Sequence, residues 1–256
     1  DHHDNEGYPL FYENQLPRFY FRQLCVEDPF CFGYLLVGPR AFGKTSEETS
    51  CQLENITKPP ARRHAAIQSK TESDAVDVVL QEKMVNIFNA YPDFFKPVYS
   101  HGSNPAKRMS FKRKSTIGTK QGKVLFGDEY ELNNTIKTYP AKVKALDGKT
   151  LSDIISDEIG KTDPKEEANV YERHAVHIKC VFRNNRKLGL IRETTTVEEM
   201  DKGGDECYEI WKESNPEERD PNGYTASKVY KYLVTGMEVQ THLADKFGHI
   251  PYDEAE

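Results

Sequence analysis

The sequence predicts a mixed α and β fold, α/β or α+β, with a central mixed sheet flanked by helices and including an antiparallel hairpin. Three observations predict it. Gly33-Tyr34-Leu35-Leu36-Val37 is apolar on both faces, as a strand covered on both sides of a sheet must be. Val76, Val79, Leu80, Met84, Ile87, Phe88 and Tyr91 recur at spacings of three and four, which builds one apolar helix face. Val176, Ile178, Cys180 and Phe182 alternate with polar neighbours, turn through Asn184-Asn185-Arg186-Lys187 and return over 188–196, which reads as a hairpin.

The remaining elements follow in order. Residues 1–18 are polar, contain Pro9 and Pro17, and read as an arm laid over the body. Phe19 to Leu24 begins with aromatics and suits a strand. Residues 46–73 are polar and contain Pro59-Pro60, which suits a loop or a short helix and a linker. Ser73 caps the helix of 74–91 and Pro92 stops it. Lys123-Val124-Leu125-Phe126 is a short strand. Thr150 and Asp153 form a capping pair for a helix carrying Leu151, Ile154, Ile155 and Ile159, closed by Gly160. Thr225 opens a last helix over 225–247, with Val229, Leu233 and Met237 inward. His174 and His177 then lie three apart on a strand, point to opposite faces and do not chelate together. All 256 residues are read as one globular domain, the alternative being a boundary near 100–122.

Composition narrows the function classes. Fourteen Tyr and 13 Phe require a packed interior, because disordered chains are poor in aromatics. No apolar run approaches the roughly 20 residues that span a bilayer. A net charge of -6 argues against binding nucleic acid over the whole surface. It leaves room for a local patch. Lys107, Arg108, Lys112, Arg113, Lys114, Lys120 and Lys123 occur without one acid between them, which suits either an anionic partner or a solvated loop. Of the five cysteines, Cys25 with Cys31 and Cys180 with Cys207 would pair in an exported protein; five thiols fit a reducing compartment equally well. Asn55 and Asn133 open glycosylation sequons. A chain that starts at Asp1 reads as processed or trimmed, and its compartment stays open.

One motif carries chemistry. Gly38-Pro39-Arg40-Ala41-Phe42-Gly43-Lys44-Thr45 matches G-x-x-x-x-G-K-[ST] at every fixed position. Glycines let the backbone fold tightly so that its N–H groups face phosphate oxygens. A lysine there bridges the terminal phosphates, and a threonine offers its hydroxyl to Mg²⁺. The context such a loop needs is a strand before it and a helix after it; Gly33 to Val37 supplies the strand.

Here the sequence resembles the P-loop NTPases, in the form G-P-R-x-x-G-K-T. The resemblance implies a nucleotide (ATP or GTP) bound with Mg²⁺ at Gly38, Arg40, Gly43, Lys44 and Thr45. A second stretch, Val124-Leu125-Phe126-Gly127-Asp128-Glu129, resembles the family's apolar strand ending in Asp-Glu. By that resemblance Asp128 holds the metal and Glu129 is the catalytic residue that orients the attacking water. Two features depart from the family. Ser46-Glu47-Glu48-Thr49-Ser50 is polar where an apolar helix is usual, and Gly127 interrupts the second strand. The competing class is a non-enzymatic interaction protein, exported, with cysteine pairs and glycans.

Overall fold

The computed structural model describes residues 13–40, 42–97, 99, 105–111, 118–119, 122–123, 132–161, 169–184, 186–196, 204–235 and 238. Its centre is a seven-stranded sheet. In chain order the strands are β1 (Gly33–Val37), β2 (His64–Gln68), β3 (Arg108–Phe111), β6 (Asn134–Thr138), β7 (Asp153–Asp157), β10 (Leu190–Thr195) and β11 (Tyr230–Leu233). Two short antiparallel ribbons lie outside it: β4 (Gly118–Thr119) with β5 (Gly122–Lys123), and β8 (Phe182–Arg183) with β9 (Arg186–Lys187). The sheet order is β11-β1-β10-β7-β2-β6-β3. All neighbours run parallel except β3, which is antiparallel to β6 at the edge. The mixed sheet predicted from sequence is present.

Helices cover both faces, which is why the central strands are buried along their length. On one face lie α1 (Leu16–Glu27), α2 (Lys44–Thr57) and a helical segment made of α3 (Glu72–Asp74), wider π-type turns over Ala75–Val85, and α4 (Asn86–Ala90). Leu53 and Ile56 of α2 pack there with Val79, Leu80, Met84 and Phe88 on Ala65, Ile67, Ile136 and Ile155. The opposite face carries α5 (Val170–Val181) and α6 (Gly204–Glu213) over Leu35, Ala66, Ile154 and Ile191. No helix among the described residues is long and apolar enough to cross a membrane.

Among the elements that differ from the sequence-based reading, two helices share a reason: buried polar side chains hide their apolar periodicity. Phe19 to Leu24 is helical, because Arg18, Arg22 and Cys25 face inward at helical spacing while Phe19, Tyr20 and Leu24 are exposed. Residues 153–157 form β7 and not a helix, since both faces of Asp-Ile-Ile-Ser-Asp are buried. Residues 170–181 form helix α5 and not a strand; its inner face is Val170, Arg173, His174, His177 and Val181. The antiparallel hairpin survives only as β8–β9, turned at Asn184 with φ 51°. Residues 230–233 are strand β11 where a helix is expected, and most of the chain beyond 235 lies outside the described residues. Of the strand expected at 123–126, only Lys123 is described.

His174 and His177 therefore share one helix face and bracket Glu193 of β10. Each Nδ1 lies 2.8 Å from one of its carboxylate oxygens. Burial alone would raise the Glu193 carboxyl, but the two imidazoles outweigh it and hold it well below the usual carboxylate range. Burial lowers His174 less than Glu193 raises it, so His174 titrates above its ordinary value; burial wins at His177, which titrates below. Depression of Glu193 contributes stability that is complete above its ordinary value, about 4.5, and lost as pH falls below it. The His174 contribution is complete below about 6.5 and lost as pH rises through the raised value. The urea midpoint of wild type should fall steeply below about pH 4.5, and that of Glu193→Gln should fall less. Equal acid limbs would eliminate this ion pair as a source of stability.

The five cysteines are free thiols, so neither expected pairing is formed. Cys31 donates to the Gly33 carbonyl (3.0 Å) and Cys180 to the Leu146 carbonyl (3.2 Å), inside the core. The Asn55 side chain, one of the two sequon positions, donates to Asp153 (2.9 Å) and is bonded to Arg63.

Candidate functional site

Strand β1, paired on its two sides with β10 and β11, ends at Val37. The Gly38 amide then donates to the Thr195 carbonyl (3.1 Å), which pins the start of the loop to the end of β10. A Cβ on Gly38 would lie 2.6 Å from the Phe42 ring and 2.9 Å from Val234, so only glycine fits. Gly43 has φ 91°, a left-handed conformation that favours glycine, and it caps α2, whose first residues are Lys44 and Thr45. The loop thus joins a buried strand to a helix N-terminus, where unpaired amides and the helix dipole favour an anion. Arg40 stands exposed in the loop.

The two side chains that begin α2 meet Asp157, the last residue of β7, and Glu158, which follows it. Thr45 Oγ1 donates to Asp157 Oδ1 (3.1 Å), and Lys44 Nζ pairs with Glu158 Oε1 (2.7 Å). Thr194 of β10 also donates to Asp157 Oδ1 (2.8 Å). Glu158 Oε2 accepts from Lys161 Nζ (3.0 Å) and from both the amide and the hydroxyl of Thr196 (3.2 Å each). Burial raises the Asp157 carboxyl, and the adjacent Glu158 adds to the rise. Burial would raise Glu158 too, but Lys44 and Lys161 outweigh it and hold it below its ordinary value. Glu158 has φ 53°, backbone strain of the kind that accumulates at functional sites.

The polar run after the loop has a structural answer. Helix α2 is seated partly by ions. Glu48 is fully buried, pairs with Arg22 (2.5 Å) and Arg192 (3.4 Å), and accepts from the Tyr34 hydroxyl. Glu47 pairs with Arg18 (2.6 Å) and Arg22 (2.8 Å). Arg192 pairs in turn with Asp153 (3.0 Å), which also accepts from Gln52 (3.0 Å) and Asn55 (2.9 Å). These contacts tie α1, α2, β7 and β10 together beneath the loop.

No family model and no curated protein matches this chain. Solved structures do. A large terminase from a thermophilic bacteriophage, in complex with ADP, superposes with TM-score 0.50 at 13% identity over 93% of this chain and 48% of its own. The same kind of protein in complex with ATP-γ-S gives TM-score 0.50 at 13% identity over 90% and 46%. This chain shares its fold with these terminases. The chain spans about half the length of these terminases.

Of the residues expected from sequence, the loop between β1 and α2 brings Gly38, Gly43, Lys44 and Thr45 together, with Arg40 on its rim. Asp128 and Glu129 lie outside the described residues. Asp157, Glu158, Thr194 and Thr196 are the site residues that sequence reasoning missed. A signal for the first two was present: Ile154-Ile155-Ser156-Asp157-Glu158 is an apolar run ending in Asp-Glu.

Proposed function

We propose that this chain binds a nucleoside triphosphate, ATP being the first choice, with Mg²⁺ at Gly38 to Thr45, and hydrolyses its terminal phosphate. The observation that carries the reading is the pairing of the loop's Lys44 and Thr45 with Glu158 and Asp157. The adenine nucleotides bound by the structural neighbours support ATP as the probe.

The residues present suit the cation. A hydroxyl and a carboxylate 3.1 Å apart are hard oxygen donors, and Mg²⁺ is held by one or two such groups together with substrate phosphates. Thr45 and Asp157 would hold it, with Thr194 orienting Asp157. When bound, Mg²⁺ would supply neutralisation of the phosphates' negative charge. The glycines and the first amides of α2 cradle the phosphates, with Arg40 adding charge at the rim. Lys44 exchanges its ion pair with Glu158 for the terminal phosphates. Glu158, released from Lys44 and kept in place by Thr196 and Lys161, accepts a hydrogen bond from the attacking water. Our reading thus gives Asp157 and Glu158 the roles that the sequence resemblance assigned to Asp128 and Glu129.

Replacing Glu158 by glutamine should lower the hydrolysis rate by about 10²- to 10⁴-fold, the usual worth of a positioned base. ATP affinity should be kept. A steady-state phosphate-release assay beside equilibrium binding separates the two quantities. Undiminished turnover in Glu158→Gln would remove this residue from the chemistry.

A further inference from the structure

A second pocket, of about 380 Å³, opens on the α5 side of the sheet where the helices stop short of its edge. Its lining includes Arg108 of β3, Lys137 of β6, Lys149 just before β7, and Tyr139. Arg108 and Lys137 are register partners on neighbouring strands. Lys137 and Lys149 both stand over the Tyr139 ring, with Nζ at 5.1 Å and 5.3 Å from its centroid. His64 at the rim lies 2.9 Å from the Thr135 hydroxyl, a further polar group lining the pocket. None of the lining residues is Asp or Glu, and among the described residues none of the three cations has an ion pair. In a chain of net charge -6, three converging cations with no ion pair among the described residues mark a place where an anion is favoured. Strand β6 stands four strand spacings from β1, about 19 Å. The pocket is therefore separate from the loop of Gly38 to Thr45.

We infer that this pocket is a second anion site and takes a compact phosphate-bearing small molecule, of di- or triphosphate size. The cations converge from three elements on one concavity and do not form a track, and the volume falls within the range of small-ligand sites. Both features favour a compact ligand over a polynucleotide. Ammonium and guanidinium groups bind phosphate oxygens through charge-assisted hydrogen bonds.

The test is calorimetric titration of the full chain carrying Lys44→Ala with sodium tripolyphosphate. One equivalent should bind, and Lys137→Ala or Lys149→Ala should each weaken it by about tenfold or more. Lys212→Ala, on the exposed face of α6, should leave it unchanged. In the wild type the same titrant should fill two sites, of which Lys137→Ala weakens one by about tenfold or more and leaves the other unchanged; this keeps the test decisive should Lys44→Ala not fold. Lys137 is exposed, so its removal leaves the core intact, and circular dichroism verifies that. Three results would each overturn the inference: no site outside the loop, equal affinity with and without Lys137 and Lys149, or binding of a single-stranded oligonucleotide without binding of tripolyphosphate.

Discussion

Lys44→Ala is expected to weaken ATP binding by about ten- to a hundredfold. The ammonium already sits within ion-pair distance of the acid that follows β7, 2.7 Å from Glu158. A hydrogen bond to a charged group contributes about 1.5–3 kcal/mol, which converts to that range of affinity. Alanine also leaves Glu158 with less positive charge beside it, and this excess negative charge faces the incoming phosphates. Both effects act in the same direction. Stability without ligand should change little, because Glu158 retains Lys161 and Thr196. The clean readout is therefore ligand-dependent. At a nucleotide concentration a hundred times the dissociation constant, wild type gains about 2.7 kcal/mol, and the variant at the same concentration should gain much less. Equal affinity in both proteins, or none in either, would end the nucleotide reading.

The largest effect on stability is expected from Arg192→Leu. Arg192 is buried between Asp153 and Glu48, both fully shielded from solvent. Removing one partner of a buried ion pair typically costs about 3–5 kcal/mol, because the charge left behind has lost both water and its counter-ion. For a chain of this size that corresponds to a melting temperature lower by about 10 °C. Glu48 keeps Arg22 and Tyr34, whereas Asp153 keeps only the amides of Gln52 and Asn55, so Asp153 carries most of the penalty. Arg192→Leu combined with Asp153→Leu should recover part of the loss, since no buried carboxylate then lacks its cation. Scanning calorimetry of the single and double variants decides this. A single variant that melts within two or three degrees of wild type, or a double variant less stable than the sum of its parts, would refute the argument.

The turn from strand to helix at Gly38 to Thr45 was legible from the glycine spacing, because Gly38 is closely packed and Gly43 is left-handed. Gly33 to Val37 was legible because a central parallel strand is apolar on both sides. The helix of 74–91 was legible because its buried face is wholly apolar. Where the reading failed, the buried face is ionic. Arg18 and Arg22 point inward from α1, and His174 and His177 from α5, so the apolar residues of those segments trace the wrong periodicity. Residues 153–157 misled in another way. Thr150 and Asp153 imitate a helix cap, while Asp153 is in fact a buried partner of Arg192. The acid pair of the site was hidden by that misreading, although Asp157 and Glu158 follow two isoleucines and a serine as the end of a strand should.

An apolar interface tolerates small rotations and single replacements; a seat made of ions does not. Glu47, Glu48, Arg22, Arg192 and Asp153 each satisfy at least one other member of the set, so the angle of α2 about its own axis is indexed by charge. The consequence reaches into the history of the sequence. Chains descended from a common ancestor with this one should exchange these positions in concert and not one at a time. One that carries an apolar residue at the position of Glu48 should also have lost the positive charge of Arg22 or Arg192.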